Sequence, residues 1–156
     1  MEADHVFYTL ARPEISVATT KAYSAQLAVM DCLAVHFANV RGKITEDKYK
    51  YYLSELMTIP TKIEKILEDK ERIQWFAAKY ANAHDVFWVG CGMDYAACLE
   101  GCLKLKEVSY VHSEAYAAGE LKHGTISLIE QGTLVIGVLT QNELYENRFC
   151  EATGIF

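Results

Sequence analysis

Proline is nearly missing from this chain, with two residues in 156, and there is no low-complexity tract or long block of like charge. With 51% hydrophobic and 23% charged residues, that scarcity argues against disorder and for a soluble globular protein. Long hydrophobic runs are missing too. The longest, around VIGVL at 135–139, falls far short of the roughly 20 residues that cross a bilayer. The N-terminus, MEADHVFYTL, is acidic where an export signal would be basic, so no membrane span or export signal is expected. Basic stripes are absent. A net charge of -6 without a Lys/Arg stripe excludes broad nucleic-acid binding, while leaving room for a local cationic pocket that takes an anionic metabolite.

Cysteine is present but in odd number, as Cys32, Cys91, Cys98, Cys102 and Cys150 in apolar or helical segments. That pattern suits reduced thiols in the cytoplasm better than a disulfide framework. Cys98 and Cys102 share one helical turn, but no further Cys or His at zinc-like spacing completes a site. They are therefore expected as buried thiols, with no metal. Gly90-Cys91-Gly92 after an apolar run lacks the third glycine of a dinucleotide fingerprint and the following acidic residue, which sets nucleotide binding aside.

The length suits one domain with a core, since a chain of this size buries roughly 68–70% of its unfolded surface. Periodicity divides it further. HVFYTL at 5–10 reads as a buried strand, and apolar residues at helical spacing from about Val17 to Val40 read as one long helix stopped at Arg41-Gly42. Thr45 can cap a second helix to about Met57, ending near Pro60. Thr61 and Glu64 then form a capping box for a third, and Asp69 can cap a fourth. DVFWVG at 85–90 is a second strand, followed by a tight glycine turn and a helix from about Asp94 to Tyr110. A second, Ala/Glu-rich helix, the GELKHG loop and a third strand, TLVIGVL, come next, and NELYENRFC would begin one more helix.

This order predicts an α/β fold, a parallel sheet joined by right-handed crossovers and covered by helices. Runs such as VFWVG and LVIGVL belong inside a sheet covered on both faces, yet three strands are few for that. The sheet is expected to be incomplete, with the chain cut at both ends and another chain supplying strands.

Residues 99–129 crowd together Lys104, Lys106, Glu107, His112, Glu114, Glu120, Lys122 and His123. An ordinary amphipathic helix would spread charge over one solvated face, whereas here an acid, a base and a cation are placed where they can meet. On composition alone, Lys104 and Glu107 would be a helix-surface ion pair of ~0.3–0.5 kcal/mol. His123 beside Gly124 would likewise be a solvated loop histidine.

Three motifs reverse that preference. PEISVATTKAY at 13–23, CLEGCLKLKE at 98–107 and EAYAAGELKHG at 114–124 resemble the isomerase part of the glutamine:fructose-6-phosphate aminotransferases, the glucosamine-6-phosphate synthases. The resemblance spans essentially the whole chain, and the order and spacing of three motifs make it specific. It implies sugar-isomerase (SIS) domains, each a doubly wound parallel sheet with helices on both faces. Residues 1–42 would close the first SIS domain, 43–84 would be a helical connection, and 85–156 would open the second.

The resemblance also assigns roles. Converting a fructose-6-phosphate imine to the glucosamine aldehyde moves a proton between C2 and C1 through an enolamine. Glu107 resembles the carboxylate that carries it. Lys104, one turn earlier on the same face, resembles the cation that stabilises charge on the substrate oxygen. His123 resembles the ring-opening histidine given to the neighbouring subunit's site, which implies a dimer. Glu14 and Val17 resemble residues lining the sugar site. No cofactor, metal, nucleic acid or membrane is implied, and the partners are a phosphorylated hexose and a second copy. His112 and Glu114 receive no role and are expected to be structural.

The glutaminase domain, the Ser/Thr-rich phosphate loop and the tail with a catalytic lysine cannot be located, so the isolated chain is expected to bind sugar phosphate poorly and to be inactive alone. Arg12 stands where the family has glycine, and Thr125 where it has proline. Arg12 should disfavour a positive-φ turn and bring charge toward Glu14, and Thr125 should loosen the backbone that orients His123. The competing reading is a catalytically dead SIS module that binds phosphosugars or partner proteins.

Overall fold

A computed structural model describes residues 3–141 of the protein. The chain forms two units, Met1–Trp75 and Phe76–Phe156. The further helix expected at NELYENRFC lies outside the described residues.

The first unit is helical. Helix α1 spans Lys21–Val40 and stops where Arg41-Gly42 predicts. It starts later than Val17 because the preceding backbone is engaged elsewhere: the N–H of Ala18 donates to Ser16 Oγ at 3.2 Å, and Lys21 Nζ donates to the Pro13 carbonyl at 2.9 Å. Helix α2, Glu46–Leu67, opens as expected on Thr45, whose Oγ1 accepts from the Lys48 N–H at 3.3 Å. Glu46 and Asp47 in its first turn complement the helix dipole.

The expected break at Pro60 does not occur, for α2 runs straight through it. A proline removes one bond of the ladder, and here the turns on either side are tied independently. Ser54 and Thr58 hydroxyls donate to the carbonyls of Tyr51 and Glu55, both at 2.7 Å, and Lys62 Nζ reaches back across Pro60 to Glu55 Oε2 at 2.8 Å. Thr61 and Glu64 are therefore interior helical residues and form no capping box. Helix α3, Lys70–Lys79, does begin after Asp69, whose carboxylate pairs with Arg72 at 3.3 Å.

HVFYTL is not a strand. Residues 5–10 pair with nothing as strand among the described residues, and Val6, Phe7, Tyr8 and Leu10 are exposed. A strand exists through its ladder, and the described residues of this unit offer no second strand. Leu10 and Arg12, at φ 54° and 60°, also break the extended run. Arg12 thus adopts the positive φ it was expected to resist.

The second unit holds the sheet. Strand β1 (Asp85–Gly90) is central, pairing in parallel with β2 (His112–Ala117) and β3 (Leu134–Val138) in the order β2-β1-β3. Val86, Phe87 and Val89 are buried, as a central parallel strand requires. The segment expected as an Ala/Glu-rich helix divides instead into β2 and a short helix, α5 (Ala118–Leu121). HSEAYA is poor in β-formers, but it lies alongside β1 from Asp85↔His112 to Gly90↔Ala117, so tertiary pairing overrides propensity.

Helix α4, Met93–Ser109, joins β1 to β2 and ends on Tyr110 in the left-handed conformation. It lies on the sheet face that carries Trp88. Gly101 makes that approach possible, since a Cβ there would stand 2.9 Å from the indole ring. The Trp88 indole N–H donates to Ser113 Oγ at 2.9 Å, and Cys102 Sγ donates to the Ser113 carbonyl at 3.0 Å. Cys98 and Cys102 are buried in this layer. Val89, one residue on and so on the other face, clusters with Ala118 and Leu121 of α5. Helices therefore cover both faces of a parallel sheet.

Candidate active site

The surface of α4 turned away from the sheet carries the charged group. Cys98, Gly101 and Cys102 face the strands, and at about 3.6 residues per turn Glu100, Lys104 and Glu107 fall on the other side. Lys104 Nζ donates to Glu107 Oε2 and lies 3.6 Å from Glu100 Oε1. All three side chains are less than a quarter exposed, at 21–24%, which is unusual for a helix-surface ion pair. The hydrogen bond to Glu107 raises the Lys104 pKa, against a smaller downward pull from desolvation, and the charges of Glu107 and Glu100 add to the rise. The ammonium is held charged between two carboxylates.

Glu100 is the residue that sequence reasoning missed. Its signal was present, four positions before Lys104 on the same helical face and inside CLEGCLKLKE.

His123 follows α5 in a turn where its backbone N–H bonds to the Glu120 carbonyl at 3.0 Å and Gly124 takes φ 141°. Its imidazole is exposed and has no hydrogen bond or ion pair among the described residues. Since α4 and α5 pack on opposite faces of the sheet, one copy of this unit does not bring His123 onto the Lys104–Glu107 pair. A sheet stands between them.

Glu14 is largely covered, with 22% of its side chain exposed. Lys21 lies 3.9 Å from Glu14 Oε1, and among the described residues no ion pair joins Arg12 to Glu14. Among the described residues Glu14 Oε2 is buried without a hydrogen-bond partner, which leaves a carboxylate oxygen open to a donor. Val17 is 93% exposed. Among the described residues no three His, Cys, Asp or Glu side chains cluster as a metal site. No described helix is long and apolar enough to cross a membrane.

The sequence matches the SIS domain over residues 79–147. The isomerizing glutamine–fructose-6-phosphate aminotransferase of Caldanaerobacter subterraneus is 52% identical over 93% of the chain, as is that of Clostridium tetani. In structure the chain is similar to the C-terminal domain of glucosamine-fructose-6-phosphate aminotransferase from Francisella tularensis. The TM-score there is 0.87 at 34% identity, over 92% of this chain and 40% of that one.

Sheet, helices and match together define an SIS domain over residues 79–147. Within that class, the relatives that match over 93% of the chain are isomerizing glutamine–fructose-6-phosphate aminotransferases. The chain spans 24% of the length of the curated relatives it matches.

Proposed function

We propose that this chain supplies part of the isomerase centre of a glucosamine-6-phosphate synthase, which converts fructose-6-phosphate and glutamine-derived ammonia to glucosamine-6-phosphate. One observation carries the reading: a charged Lys104 held between Glu100 and Glu107 on a partly covered helix face.

The chemistry needs a base that removes a proton from C1 of the imine and returns it to C2 through an enolamine. Glu107 is suited to that shuttle, being a carboxylate with a fixed position on a rigid helix. Lys104 beside it supplies the positive charge that a developing oxyanion requires, and its raised pKa keeps that charge in place. His123, with an exposed imidazole that has no partner among the described residues, opens the sugar ring in the site of a neighbouring copy. That assignment is supported by the sheet that separates His123 from Glu107 within one unit. Glu14, through its unpartnered Oε2, accepts from a sugar hydroxyl or the amino group, and Val17 lines the same site.

On this reading residues 1–42 belong to the end of one SIS domain, 43–84 to a helical connection and 85–156 to the start of a second. The enzyme is cytoplasmic and dimeric, and the isolated chain is inactive because the phosphate-binding loop lies in another part of the family's sequence. The test is isomerisation of fructose-6-phosphate to glucose-6-phosphate, and binding of either sugar, by the chain alone and combined with the rest of the family's isomerase region. Turnover in the combination supports the reading. Neither turnover nor binding in any combination overturns it.

A further inference from the structure

Four polar side chains run along one face of the sheet, from the start of β1 and β2 toward α5. Asp85 Oδ1 lies 2.7 Å from His112 Nδ1, His112 Nε2 lies 3.5 Å from Glu114 Oε1, and the Tyr116 hydroxyl donates to Glu114 Oε2. Residues 112, 114 and 116 point the same way because side chains alternate along a strand. The reaction proposed above uses none of these four.

Tyr116 ends the row and also belongs to the core. Its ring packs on the cluster of Val89, Ala118 and Leu121, and its centroid is 6.2 Å from that of Phe87. Ala118 and Leu121 are α5, and Leu121 precedes His123 by two residues. Tyr116 therefore packs on the short helix that leads directly into the His123 turn. The hydrogen bond to Glu114, then desolvation, pushes the phenol's pKa up, so the hydroxyl stays a donor through the neutral range.

Resting on the reading of His123 as the ring-opening group, we propose that Tyr116 is a positioning residue for His123. Glu114 pins the phenol, and the pinned ring seats α5, which runs into the His123 turn.

The test measures placement of the turn directly, by amide hydrogen exchange and imidazole NMR of His123 in the full chain. In Tyr116→Phe, which keeps the ring and loses the hydroxyl, and in Glu114→Ala, exchange at the His123 amide should rise about tenfold, as for loss of one charge-assisted hydrogen bond. The His123 ring resonances should shift with it. Glu114→Gln, which retains an acceptor oxygen, should restore both signals, while exchange at Phe87 and Val89 stays at its wild-type rate. If the His123 signals are unmoved in Tyr116→Phe and Glu114→Ala, or if Phe87 and Val89 are perturbed as much as His123, the proposal is overturned. These signals do not depend on turnover. A catalytic role for His123 fails separately, by unchanged turnover of His123→Asn when the chain is combined with the rest of the family's isomerase region.

Discussion

The carboxylate of Asp94 accepts a hydrogen bond from the backbone N–H of Thr140 at 3.1 Å and another from the Thr140 hydroxyl. The first turn of α4 is thereby tied to the chain just past β3, forty-six positions away in sequence. Gln141 adds a second tie, its Nε2 donating to the Cys91 carbonyl at 2.8 Å. Gly90 allows the turn to close against them, because a Cβ there would meet the Asp94 carbonyl group at 2.6–2.7 Å.

Asp94 is buried, so removing its acceptors strands two donors. Asp94→Ala should lower stability by ~1–3 kcal/mol in a denaturant titration, and Thr140→Val, which keeps the backbone N–H, by less. The Thr140 hydroxyl holds the Asp94 pKa below its ordinary value, against the opposing effect of burial. A depressed folded pKa contributes stability that is complete above the ordinary aspartate value and is lost as pH falls through the folded value. Wild type should therefore lose stability more steeply than Asp94→Ala on acidification below the ordinary carboxylate range. Parallel pH profiles would remove Asp94 from this role.

Gly101 sets how closely α4 lies on the sheet. Gly101→Ala places a methyl 2.9 Å from the Trp88 ring, and neither the helix nor the half-buried indole can give way freely, since Trp88 is held by Ser113. A cost of ~1–3 kcal/mol is expected, as for overpacking elsewhere. Trp88 fluorescence should change with it. Trp88→Phe in the same chain should recover part of the loss by shortening the ring beneath residue 101.

The places where sequence and structure agree are those where local chemistry is strong. DVFWVG is a run of β-formers between breakers, Thr45 is a capping residue before acidic residues, and Arg41-Gly42 stops a helix. The errors came from long-range pairing. HSEAYA has little strand propensity and is a strand because β1 lies beside it, whereas HVFYTL has high propensity and no partner. Pro60 looked like a stop because the tie from Lys62 to Glu55 across it is a tertiary detail of one helix face. Of the site, Lys104 and Glu107 were legible as neighbours from their spacing. Their partial burial, the contribution of Glu100 and the position of His123 beyond the opposite face were not, because they depend on which side of α4 meets the sheet.

In a protein holding the complete isomerase centre, Glu107→Gln should lower turnover by about 10²–10⁴-fold, the usual worth of a general base, with sugar binding retained. Lys104→Met should also lower turnover, and should do so across the pH range, because the wild-type ammonium is kept charged. Glu100→Gln tests the second carboxylate. With Glu107 still bonded to Lys104, its effect should be the smallest of the three, read as kcat for fructose-6-phosphate isomerisation. A Glu100→Gln loss exceeding that of Glu107→Gln would exchange the roles of the two acids.

If His123 serves the neighbouring copy's site, two inactive variants should complement each other. In a dimer pairing Glu107→Gln with His123→Asn, one site receives both defects and the other receives neither. Random mixing makes half the dimers mixed, and each has one intact site of two, so turnover should recover to roughly a quarter of wild type. Each variant alone should stay inactive. Were Glu107 and His123 of one copy to act together, no arrangement of the mixture could rebuild a site, and activity would remain at the level of the single variants. The sheet between α4 and α5 argues for recovery, since it separates these two residues within a copy.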